Sequence, residues 1–184
     1  MFDKKEWFSI PNLISYFRIA LIPVFVWIYI SAKTANDFYL AAFVILLSGL
    51  SDLLDGKIAR RFNMITELGK ALDPFADKLT QGALVICLYS RFKQMWILIV
   101  LWLVKEGFML LASLFFWRKG RKLDGAKWFG KVCTVVLYAV MFVLIAYYDI
   151  NQEVANVLIW ICAGFMIMAF LLYIPEFMQL RKPE

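Results

Sequence analysis

Six long apolar runs separated by short clusters of charge organise the chain: residues 13–32, 38–55, 72–90, 94–117, 132–148 and 154–174. A helix that spans a bilayer needs roughly 20 such residues. Two runs fall short of that if they are stopped at their charges, because the uncharged stretches are only 38–51 and 79–90. At about 1.5 Å per residue these would reach roughly 20 Å, less than a hydrocarbon core of about 30 Å. The second and third helices are therefore predicted to continue through Asp52 and Asp55 and through Asp73 and Asp77. Four carboxylates then lie at membrane depth, where ionisable groups are costly unless they face a polar cavity. Ahead of the first run, Phe2, Trp7, Phe8 and Ile10 lie among Asp3, Lys4, Lys5 and Glu6, which reads as a short interfacial helix; a frayed polar tail is the other reading. The predicted fold class is all-α: an integral membrane bundle of six transmembrane helices with a short N-terminal interfacial helix. No repeat, linker or low-complexity segment divides it, so a single domain is expected over 1–184.

Composition agrees with a bilayer as the solvent. Of 184 residues, 63% are apolar and 17% aromatic, and the mean hydropathy is +0.73. The first run holds Arg18 and Pro23 and lacks a small-residue cleavage signature, which favours a first span over a removable signal peptide. Basic residues set the orientation. Lys57, Arg60, Arg61 and Lys70 follow the second run, and Arg118, Lys119, Arg121, Lys122 and Lys127 follow the fourth, whereas Asp149 and Glu153 lie between the fifth and sixth. The basic connections are expected to face the cytoplasm, although Arg91 and Lys93 run against the pattern. An even number of spans then puts both termini inside a multi-pass protein of the cell inner (cytoplasmic) membrane.

The chain has no histidine, which removes His-ligated zinc, Ser-His-Asp triads and imidazole bases together. Cys87, Cys133 and Cys162 sit singly inside apolar runs and indicate neither disulfides nor a thiolate metal site. What stands out is the stretch DLLDGKIARRFNMITELGKALDPFADK from Asp52 to Lys78, which holds four of the eight aspartates. Asp52 and Asp55 are three apart and Asp73 and Asp77 four apart, so each pair shares one helical face. Carboxylates so close at membrane depth either protonate or draw cations, and hard oxygens without Cys or His favour Mg²⁺, Mn²⁺ or Ca²⁺. Two metals a few ångströms apart are the usual arrangement for stabilising both oxygens of a phosphoryl displacement. Gly56 and Ala59 keep the adjoining face small, Gly69 does so on the opposing helix, and Arg60 can pair bidentately with phosphate. The alternative for any one aspartate is a structural salt bridge with Lys57, Arg60, Lys70 or Lys78.

The stretch resembles the signature of the CDP-alcohol phosphotransferases: D, two residues, DG, two residues, AR, eight residues, G, three residues, D, three residues, D. Here Asp52, Asp55, Gly56, Ala59, Arg60, Gly69, Asp73 and Asp77 fill it without departure. The resemblance implies a homodimer whose active site opens to the cytoplasmic leaflet and uses a two-metal site of Mg²⁺ or Mn²⁺. It implies Asp52, Asp55, Asp73 and Asp77 as metal ligands. Asp52, Gly56, Ala59, Arg60 and Gly69 would bind the cytidine diphosphate moiety, and Asp77 would be the catalytic base for the acceptor hydroxyl.

PNLISYFRIALIPVF from Pro11 and GKALDPFADKL from Gly69 are similar to the bacterial phosphatidylglycerolphosphate synthases, which move a phosphatidyl group from CDP-diacylglycerol to sn-glycerol 3-phosphate. A phosphorylated acceptor wants cations, and Lys127, Lys131, Arg118 and Lys105 are the candidates; ordinary positive-inside topology accounts equally well for Arg118. Lys127 and Lys131 share a helix face at i, i+4. One departure bears on the acceptor. Those synthases carry Arg-Glu followed by a Thr-Gly-Leu-Arg stretch where this chain has KEGFMLLASLFF from Lys105. A cardiolipin synthase taking phosphatidylglycerol is thus the second reading, and Lys105 with Glu106 serves either structural pairing or the acceptor pocket. A divalent-cation channel or transporter is the non-enzyme alternative, but apart from Glu106 no internal carboxylate continues a path through spans four to six. Membrane lipids are expected partners and nucleic acid is not.

Overall fold

The computed structural model describes residues 9–62, 66–118 and 127–179, with the side chains of residues 53, 55, 56, 58–60, 67 and 70 left aside. The expected interfacial helix therefore lies outside the described residues, as do Lys119, Arg121 and Lys122. Six helices and no strands occur among the described residues: α1 (Ile10–Ser31), α2 (Ala35–Arg61), α3 (Glu67–Leu88), α4 (Met95–Arg118), α5 (Trp128–Ala146) and α6 (Gln152–Gln179). The all-helical expectation holds. So does the expectation that the second and third helices run on through their acids: α2 carries Asp52 and Asp55 well inside its C-terminal end, and α3 contains both Asp73 and Asp77.

Helix boundaries follow local chemistry. Pro11 stands in the first turn of α1, where its missing N–H would have had no intrahelical partner. Thr34 and Asp37 close a reciprocal cap at the start of α2. The Asp37 carboxylate accepts from the Lys33 N–H at 2.9 Å and the Thr34 N–H at 2.8 Å, and the Asp37 N–H donates to Thr34 Oγ1 at 3.4 Å. Thr66 caps α3 by accepting from the Gly69 N–H at 2.9 Å.

Among the described residues four helices, α1, α4, α5 and α6, are long and apolar enough to cross a membrane, and the protein is a membrane protein. At 27 and 22 residues α2 and α3 are also long, and α3 carries Asp73, Asp77 and Lys78 within its length. The chain divides into two compact units, Met1–Cys87 with Phe142–Asp149, and Leu88–Met141 with Ile150–Glu184.

In the first unit α1 packs along α2. Polar side chains are buried beside the apolar core, and large apolar ones face outward. Asn12, Ser15, Arg18, Ser48, Ser51, Thr80 and Gln81 are buried, while Trp27 and Ile30 are 71% and 73% exposed. Lipid makes an outward Trp or Ile inexpensive and forces polar groups to find partners inside. Ser51 and Thr80 do so locally, donating to the carbonyls of Ser48 at 2.7 Å and Ala76 at 2.9 Å. An aromatic series, Phe25, Tyr29, Phe38 and Tyr148, fastens the far end of α1 to α2, with successive centroids 5.7, 5.5 and 5.3 Å apart.

In the second unit α4 packs on α6. Phe108 meets Phe170 and Phe177 edge to face at 5.3 and 5.7 Å, and Phe129 meets Tyr173 at 4.6 Å. Here too charge is turned inward: Lys105 is buried, whereas Leu111 is 70% exposed.

Candidate active site

Three helices of the first unit build the site. α2 and α3 supply the acids that the spacing singled out, and α1 supplies a third wall that the spacing did not reveal. Asn12, Ser15 and Arg18 recur every three residues on the buried face of α1, so they form a polar stripe on an otherwise apolar helix.

Each member of the stripe reaches a different part of the motif. The Arg18 guanidinium, 3% exposed, donates through Nη1 to Asp52 Oδ1, and its Nη2 lies 3.6 Å from Asp73 Oδ1. A planar fork can span two carboxylates in this way, where a point-like ammonium would favour one. Ser15 Oγ donates to the same Asp73 oxygen at 2.7 Å. Asn12, fully buried, accepts from Thr66 Oγ1 at 3.1 Å and so reaches the cap of α3.

Gly69 completes that contact. A Cβ there would stand 2.7 Å from Asn12 Oδ1 and 3.0 Å from Thr66 Oγ1, so the bare α-carbon is what lets α1 approach the start of α3. This is a packing reason for a residue first singled out for the space it leaves a ligand.

Asp77, one turn beyond Asp73, accepts from Gln81 Nε2 at 2.8 Å, and Lys78 Nζ lies 3.9 Å from the same oxygen, Oδ2. Asp52 and Asp73 keep 48% and 47% of their side-chain surface exposed and Asp77 28%, so all three remain open to a ligand. Asp55, Gly56, Ala59 and Arg60 follow Asp52 on α2, and their side chains lie outside the described residues.

Among the described residues no three Asp, Glu, Cys or His side chains converge closely enough to hold a metal ion. The donor chemistry nevertheless fits one. Asp52 and Asp73 are hard oxygen donors on separate helices that already draw one cation, the Arg18 guanidinium, between them.

The cations singled out for an acceptor lie in the second unit. Lys105 Nζ pairs with Glu106 Oε1, which realises structural pairing for two charges set in mid-helix. Lys127 Nζ binds Glu176 Oε2 at 2.9 Å. Lys131 and Arg118 are exposed.

Sequence reasoning missed Arg18, Ser15, Asn12 and Gln81 as parts of the site. The signal was present as three polar residues at intervals of three in the first span. Arg18 above all could not have stayed unpaired in an apolar helix, and only acids could neutralise it.

Comparison with known proteins bears on the same residues. The sequence matches the family described as CDP-alcohol phosphatidyltransferase over residues 8–168. It is 35% identical over 143 residues to a cardiolipin synthase (CMP-forming) of Streptomyces coelicolor, covering 75% of this chain and 66% of that protein. It is 40% identical over 84 residues to a CDP-diacylglycerol–glycerol-3-phosphate 3-phosphatidyltransferase of Rickettsia bellii, covering 45% of each chain. A protein of the same description from Escherichia coli is 28% identical over 160 residues, covering 85% of this chain and 87% of that one. The matches thus span less than two thirds of the Streptomyces and Rickettsia relatives.

Proposed function

Since the chain belongs to the CDP-alcohol phosphatidyltransferase family, we propose that it transfers a phosphatidyl group from CDP-diacylglycerol to sn-glycerol 3-phosphate, giving phosphatidylglycerol phosphate and CMP. The observation that carries this reading is the meeting of the two halves of the motif: Asp52 of α2 and Asp73 of α3 share one guanidinium. The two acids flank a stretch in which every specified residue is present at its spacing.

In this account Asp52, Asp55, Asp73 and Asp77 hold Mg²⁺ or Mn²⁺ in a two-metal site. The metal supplies neutralising charge to the diphosphate and to the departing oxygen. Asp52, Gly56, Ala59, Arg60 and Gly69 bind the cytidine diphosphate. The acceptor hydroxyl gives its proton to Asp77 as its oxygen bonds to the phosphorus that bears diacylglycerol, and the bond from that phosphorus to the CMP oxygen breaks. Gln81, donating to Asp77 Oδ2, holds the base in orientation. Lys127, Lys131 and Arg118 are the proposed contacts of the acceptor phosphate, while Lys105 stays paired with Glu106.

We place the protein in the inner membrane as a homodimer with six spans and both termini in the cytoplasm. At roughly 1.5 Å per residue, α2 and α3 reach about 40 and 33 Å, which supports counting them as spans beside the four more apolar helices. The match over 8–168 runs across both compact units, which supports one domain over 1–184.

A second reading, cardiolipin synthesis with phosphatidylglycerol as acceptor, is favoured by the Streptomyces relative and by the departure after Lys105. The test is CMP release by purified protein supplied with CDP-diacylglycerol and, separately, glycerol 3-phosphate or phosphatidylglycerol. Release with the first acceptor supports the leading reading. Release with phosphatidylglycerol alone replaces it by the second.

A further inference from the structure

We propose that Arg18 is a resident cation that holds Asp52 and Asp73 in place while no metal is bound and competes with the metal for them. The proposal rests on reading these two aspartates as metal ligands, and it assigns a task to a residue outside the family motif.

Three observations carry it. First, Arg18 is 3% exposed and sits in the middle of an apolar helix, where a guanidinium requires acidic partners. Second, its partners are motif acids from two different helices: Nη1 donates to Oδ1 of Asp52, and Nη2 stands 3.6 Å from Oδ1 of Asp73. Third, α1 holds the arrangement from one side, since Ser15 donates to the same Asp73 oxygen at 2.7 Å. The guanidinium therefore occupies the oxygens that a divalent ion would seek.

Two carboxylates facing each other at membrane depth repel, and without a cation they would protonate or move apart. Arg18 supplies one positive charge, enough to keep the acids together without neutralising both. A divalent ion brings two charges to the same oxygens and stands beside a guanidinium that burial shields from solvent screening. Arg18 should therefore weaken metal binding while stabilising the metal-free protein. Such competition would set the metal concentration at which the site fills and keep the ligands preformed until it does.

The experiment compares full-length wild type with Arg18→Gln and Arg18→Lys in detergent micelles, with no lipid substrate present. Mn²⁺ binding is followed by the electron paramagnetic resonance of the free ion, and thermal unfolding is measured in excess chelator and in saturating Mn²⁺. Arg18→Gln should bind Mn²⁺ roughly tenfold more tightly or better, the loss of one charge-assisted contact to the ligands. It should unfold at lower temperature than wild type in chelator, and Mn²⁺ should restore most of the difference. Arg18→Lys keeps the charge and gives up the fork, so its affinity should fall between the two. If Arg18→Gln fails to fold, Arg18→Lys decides alone, and affinity no higher than wild type overturns the proposal. Arg18→Gln binding no more tightly than wild type overturns it as well, while leaving the metal reading intact. A wild type with no Mn²⁺ site that Asp73→Asn removes would overturn the metal reading and this proposal together.

Discussion

Replacing Gly69 by alanine sets two physical effects of known size against each other. In an exposed helix, Gly→Ala is stabilising by about 1 kcal/mol, because alanine loses less backbone entropy on folding. At Gly69 the added methyl would lie 2.7 Å from Asn12 Oδ1 and 3.0 Å from Thr66 Oγ1. Asn12 is fully buried and bound to Thr66, so it cannot swing away without giving up that hydrogen bond. Overpacking of this kind costs about 1–3 kcal/mol, and loss of the Thr66 to Asn12 bond about 0.5–1.5 kcal/mol more. Packing should win, leaving Gly69→Ala less stable by about 1–3 kcal/mol. Because Asp73 follows one turn later, the displacement should also lower the rate of CMP release. Unfolding in detergent micelles measures the stability, and Asn12→Ala completes a double-mutant cycle. Removing the amide makes room for the methyl, so the pair should be coupled by at least about 1 kcal/mol. A Gly69→Ala protein as stable as wild type, or strictly additive effects in the cycle, would refute the close approach of α1 to α3.

Lys131→Ala should raise the Michaelis constant for glycerol 3-phosphate by about ten- to a hundredfold, as expected for one charge-assisted phosphate contact, and leave that for the lipid donor nearly unchanged. Steady-state kinetics with each substrate varied in turn checks this, and an equal rise for both substrates would count against an acceptor contact. For orientation, a cysteine at Asn151 should react with an impermeant thiol reagent from outside the cell and one at Gly120 should not, since basic connections stay in the cytoplasm. Reversed labelling would overturn the assigned topology.

How much was legible in the sequence depended on whether the governing interaction was local. The six apolar runs correspond to six helices because the requirement to satisfy every backbone group in lipid leaves a long apolar run few other choices. The continuation of α2 and α3 through their acids followed from a length argument that needs no neighbours. The helix-face pairing of Asp73 with Asp77 is likewise a property of one helix.

What crosses between helices was not legible. Nothing in the spacing of the motif says that Arg18 stands on Asp52 and Asp73, that Ser15 donates to Asp73, or that Gly69 is small to admit Asn12. Those contacts join residues far apart in the chain, and periodicity within a helix does not record them. The pairing of Lys105 with Glu106 was half legible: two charges in mid-span demand partners, but sequence alone did not choose between each other and an acceptor. Lys127 illustrates the reverse, because its partner Glu176 lies at the far end of α6 and had no visible counterpart in the pattern of charges.

The central claim is that the motif aspartates hold a divalent metal for phosphatidyl transfer. Its most direct test is CMP release from CDP-diacylglycerol in the presence of glycerol 3-phosphate, measured for wild type and Asp73→Asn in Mg²⁺, in Mn²⁺ and in excess chelator. The account requires release by wild type with either metal, none in chelator, and none from Asp73→Asn under any condition while its thermal unfolding shows a folded protein. Full release in chelator, or from folded Asp73→Asn, would contradict it.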